Sequence, residues 1–68
     1  MRSIRELLDR AEHRVTEVEK RVAALARRAA RAAPGSAALD EAEEDLRLCR
    51  QILDSMYTSR DLMRDTAR

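Results

Sequence analysis

The sequence predicts an all-α protein, an antiparallel two-helix hairpin of coiled-coil character. Three observations carry that prediction. The one strong chain breaker, Pro34-Gly35, sits almost at the midpoint of 68 residues. On either side of it apolar residues recur at alternating steps of three and four, the signature of a helix that packs along a single seam. The composition also gives little to strands or to a concave catalytic core. There is one Gly, one Pro, one Tyr, no Phe and no Trp, and 40% of the residues are charged.

The first helix is expected over about 3–33. Ser3-Ile4-Arg5-Glu6 has capping-box form, with the Ser3 hydroxyl placed to accept from the Glu6 amide. From there the seam runs Ile4, Leu8, Ala11, Val15, Val18, Val22, Leu25, Ala29 and Ala32 without a fault. The helix should end near Ala33. Pro34 has no N–H for the helical ladder and pushes the residue before it out of the α region.

The turn is expected over about 34–36, with Gly35 supplying the permissive backbone. Ser36 is the natural N-cap of the second helix, about 37–66, and Asp40 and Glu41 suit its positive end. The second seam reads Leu39, Ala42, Leu46, Cys49, Leu53, Met56, Arg60, Met63 and Ala67, with Arg60 the one polar intruder. Helices joined by so short a turn pack antiparallel, so residue i should face roughly residue 70−i. That register sets Arg27, Arg28 and Arg31 near the acidic run Asp40–Asp45. It also sets Leu7 and Leu8 near Leu62 and Met63.

A chain this short rarely builds a sufficient core without disulfides, metal or association. Cys49 is alone, which excludes an internal disulfide, and twelve of the apolar residues are alanines, which bury little. The hairpin is therefore expected to be completed by oligomerisation or by a helical partner. The second helix shows where. Leu48, Ile52, Tyr57 and Leu62 flank its seam, so its apolar surface is too wide for one neighbouring helix. The expected partner-binding residues are Leu46, Leu48, Ile52, Leu53, Met56, Tyr57, Leu62 and Met63.

No catalytic, metal-binding or cofactor-binding residue is expected. His13 has Asp9 and Glu17 one turn away on either side, yet no second His or Cys joins them. Cys49 occupies a seam position, where a thiol behaves as a small hydrophobe. Glu6–Arg10, Glu17–Arg21 and Glu43–Arg47 have the spacing of helix-surface ion pairs. The Arg27-Arg28-Ala29-Ala30-Arg31 cluster lacks interleaved aromatics for base stacking, and the net charge is only +1. Nucleic acid is thus not the expected partner. A structural homodimer forming a four-helix bundle, or less readily an RNA- or DNA-binding hairpin, are the alternatives to an adaptor for another protein. The longest apolar stretch, Val22–Ala26, is far too short to span a membrane. With charge from Arg2 onward and no apolar leader segment, a cytoplasmic location is expected.

The chain resembles the small co-chaperones of type III secretion needle proteins, the YscE/PscE/SsaE-type group. The features that carry the resemblance are overall length, the Leu25-Ala26-Arg27-Arg28-Ala29 end of the first helix, the Pro34-Gly35 turn, and the aliphatic stretch Ile52-Leu53-Asp54-Ser55-Met56-Tyr57. It departs from that group where the second helix opens with Ala38-Leu39-Asp40-Glu41 rather than aromatic or Gln residues. The resemblance implies a cytoplasmic protein that packs against a larger helical-repeat chaperone and helps keep a needle subunit soluble before export.

Overall fold

The computed structural model describes residues 3–67. Two helices, α1 (Ile4–Arg31) and α2 (Ala37–Ala67), lie antiparallel and form a helical hairpin. Ser3 caps α1 in extended conformation, and its hydroxyl accepts from the Glu6 amide at 3.2 Å. Ser36 does the same for α2, accepting from the Leu39 amide at 3.1 Å. Each cap satisfies one of the amides a helix start leaves without an internal partner.

α1 stops at Arg31, two residues before the expected end. Ala32 is already extended, with φ −72 and ψ 146, and its N–H is shared between the Arg28 and Ala29 carbonyls. The cause lies in the turn. The Ser36 N–H donates to the Ala33 carbonyl at 3.1 Å, which closes the four residues Ala33–Ser36. Pro34 occupies the second place and Gly35, with φ +74, the third, the arrangement of a type II turn. Because the reversal begins at Ala33, the chain leaves the helix at Ala32.

The molecule is a rod of 49 × 17 × 14 Å with a radius of gyration of 15.5 Å. A globular chain of this length would have a radius near 11 Å. Its accessible surface is 5368 Å², against roughly 4,400 Å² expected for a compact monomer of this mass. The excess follows from the architecture, since each helix has only one neighbour.

The seam forms as the periodicity requires. Val15, Leu25, Ala42 and Leu53 are buried. The other seam residues from Leu8 to Ala32 and from Leu39 to Met63 are half-buried, Arg60 among them. Ile4, at the open end where α2 runs out, is 38% exposed. The Ala67 side chain lies outside the described residues. Among the described residues, the buried interior is therefore three aliphatic side chains and one alanine.

Candidate functional site

The two flanks of the seam differ. One is closed by polar bonds between the helices. The Arg64 guanidinium donates through Nε and Nη2 to Glu12 Oε1 at 3.1 and 2.6 Å. The Tyr57 hydroxyl donates to Glu19 Oε2 at 2.7 Å. Arg60 lies over the Tyr57 ring, 4.9 Å from its centroid, a cation–π contact, and pairs with Asp61 at 3.2 Å. The Glu19 carboxylate, foremost by accepting the phenol's hydrogen bond, raises the Tyr57 pKa above its ordinary value.

These pairs also measure the lean of the side chains. The expected register sets Glu19 opposite Gln51 and Glu12 opposite Thr58, whereas the observed partners, Tyr57 and Arg64, each lie one and a half to two turns further from the hairpin's bend. Helical side chains point toward their own N-terminus. In an antiparallel pair, a long side chain on α1 leans away from the bend and one on α2 leans toward it. The two therefore meet between their backbone levels.

The opposite flank is an open groove. One stretch is lined by Ala11, Arg14, Ile52, Ser55, Met56, Ser59 and Met63. The next is lined by Val18, Arg21, Asp45, Leu48, Cys49 and Ile52. They share Ile52, so the groove is continuous from Asp45 to Met63. Its α2 wall carries a second regular row outside the seam: Leu48, Ile52, Ser55, Ser59, Leu62 and Thr66, again at steps of four and three; this stretch has no charge, and Asp45, one step nearer the bend, is the acid at its end. Leu48, Ile52 and Leu62 are 45%, 54% and 64% exposed.

The eight expected partner-binding residues thus divide. Leu48, Ile52, Met56 and Met63 line the groove, whereas Leu62 is 64% exposed and does not line it. Leu53 is only 8% exposed: it holds the hairpin together and is not available as an anchor. Tyr57 belongs to the closed flank, bound to Glu19. Leu46 lines a separate polar depression with Glu43, Arg47, Arg50, Gln51 and Asp54. Inspection of α2 alone also misses the wall that α1 supplies, Arg14 and Arg21. Their signal was present in the sequence as a row of arginines at helical spacing one step off the seam.

The charge pairing differs from expectation as well. Among the described residues, no ion pair joins Arg27, Arg28 or Arg31 to the acidic run Asp40–Asp45, and all three arginines are exposed. Within the helices the pairs close at three residues rather than four, Glu17 with Lys20 at 3.7 Å and Glu44 with Arg47 at 2.6 Å. His13 is exposed, and Glu17 turns to Lys20. No group of three metal-ligating side chains converges among the described residues. Cys49 is a free, half-buried thiol. Among the described residues, no helix is long and apolar enough to cross a membrane. No protein-family model matches the chain, and no curated protein or solved structure is significantly similar to it.

Proposed function

We propose that this chain is a non-enzymatic helical adaptor, a small co-chaperone that stabilises another protein by laying the groove side of α2 against one of its helices. The observation that carries the reading is the pair Leu48 and Ile52, left 45% and 54% exposed in a groove open along much of the rod, with Leu62 exposed further along the same helix. Exposed apolar surface of this kind is stabilised by being covered, and a protein whose own interior is this small gains folded-state population when a partner binds it. The resemblance to needle-protein co-chaperones gives the reading a finer form: a larger helical-repeat chaperone as partner, a needle subunit as client, and the cytoplasm as location.

The test is affinity capture from the native cell, followed by thermal melting of the chain with and without the protein that co-purifies. A helical-repeat protein that raises the melting temperature, and loses its hold when Ile52 becomes Asp, supports the reading. Retention undisturbed by Ile52→Asp places the binding surface elsewhere.

A further inference from the structure

The α1 wall of the groove is basic. Leu7, Arg10, Arg14, Glu17, Arg21 and Ala24 follow one another at steps of three and four, and Arg14 and Arg21 line the groove directly. The one acid in the row, Glu17, is already paired with Lys20. Among the described residues, none of Arg10, Arg14 and Arg21 makes an ion pair, and all are exposed. Whatever lies in the groove is therefore bordered by the unpaired charges of Arg14 and Arg21 on one side and by Leu48 and Ile52 on the other, with Asp45 the one acid of the α2 wall, at the end nearest the bend.

A second copy of the chain does not meet both demands. A two-fold axis along the rod would lay the second copy's α1 over α2 at its own level, which sets Arg21 on Leu48 and Ile52. A two-fold axis across the rod would bring α2 onto α2, but it would also lay the arginine row on its own image. An isologous interface must be self-complementary, and like charges set opposite one another oppose association.

Resting on the adaptor reading, we infer that the groove takes an amphipathic helix of a different protein, one whose apolar stripe is bordered by Asp or Glu along the edge that meets α1. The uncharged row from Leu48 to Thr66 has room for about 28 Å of it at 1.5 Å per residue. The apolar stripe covers Leu48, Ile52, Met56 and Met63, and the carboxylates pair with Arg10, Arg14 and Arg21, fixing which way round the helix lies.

The probes are two helical peptides of about 28 Å with leucines at steps of three and four, one with glutamates along a single flank and one with lysines there. Binding of each to the full chain is measured by calorimetry at low and high salt. The glutamate peptide is expected to bind about tenfold tighter at low salt, as three partly exposed ion pairs would give, with the gap narrowing as salt rises. Charge reversal at Arg10→Glu, Arg14→Glu and Arg21→Glu together should invert the preference, and Ile52→Asp should weaken both peptides. Circular dichroism checks that these exposed substitutions leave the hairpin helical. Equal binding of the two peptides, with Ile52→Asp still weakening both, overturns the acidic chemistry and leaves the adaptor reading standing. Indifference of both peptides to Ile52→Asp overturns the adaptor reading itself. A stable dimer in sedimentation that Ile52→Asp dissociates, or RNA binding abolished by the charge reversal, overturns the inference in favour of that occupant.

Discussion

The single aromatic residue of the chain, Tyr57, donates its phenolic proton to the Glu19 carboxylate across the hairpin at 2.7 Å. A carboxylate that accepts this bond favours the protonated phenol, so the Tyr57 pKa lies above its ordinary value of 10.0. The folded-state value is the raised one. The stabilisation is therefore fully present below the unfolded value and is lost as pH climbs through the folded one. Absorbance titration of the phenolate should show a midpoint above that of free tyrosine, and Glu19→Gln should bring it back down. An unchanged midpoint in the variant would mean that the bond does not persist in solution.

Glu12 and Arg64 tie the same flank nearer the open end, and both side chains are close to half exposed. Water and salt screen such a pair, so its coupling energy should be small, about 0.2–1 kcal/mol. A double-mutant cycle with Glu12→Gln and Arg64→Met reads it directly, and it should shrink further in high salt. A coupling of several kcal/mol would show the pair to be far less solvated than its exposure indicates.

Leu53 and Ile52 are neighbours in sequence with opposite surroundings, 8% and 54% exposed. Leu53→Ala removes a core side chain and should cost about 2–5 kcal/mol, a severe loss for so small an interior. Ile52→Ala should fall within about 0.5 kcal/mol in the free chain. Denaturant melts of the two variants decide the matter, and the reverse order would move the seam by one residue.

Gly35 holds φ +74 in open space, with nothing within 4 Å of where a Cβ would stand. Gly35→Ala therefore meets backbone strain without a clash, and about 1–2 kcal/mol is expected. Ser36→Ala removes the α2 cap that accepts from Leu39 and should cost about 1 kcal/mol. Thermal melts monitored by circular dichroism test both. A neutral Gly35→Ala would mean the turn adopts another form in solution.

Two helices, their caps and the stripes they bury are legible in the sequence because each rests on local chemistry. Ser3 and Ser36 cap where a hydroxyl precedes a helical run, Pro34-Gly35 breaks the chain where it must, and the three-four spacing of Val15, Leu25, Ala42 and Leu53 puts them on the buried side. α1 ends two residues before the point proline alone would set, because the turn's hydrogen bond decides where the helix unwinds.

Which apolar residues remain open is not a local property. Ile52 and Leu53 are equally hydrophobic, and the rotation of about 100° between them acquires meaning only once α1 occupies one side of α2. Polar side chains of matching reach then close one flank through Glu12–Arg64 and Glu19–Tyr57, while Arg14 and Arg21 face Ile52 across the other. Spacing along one helix places a residue on a face. Only the second helix decides whether that face is core, seal or open surface.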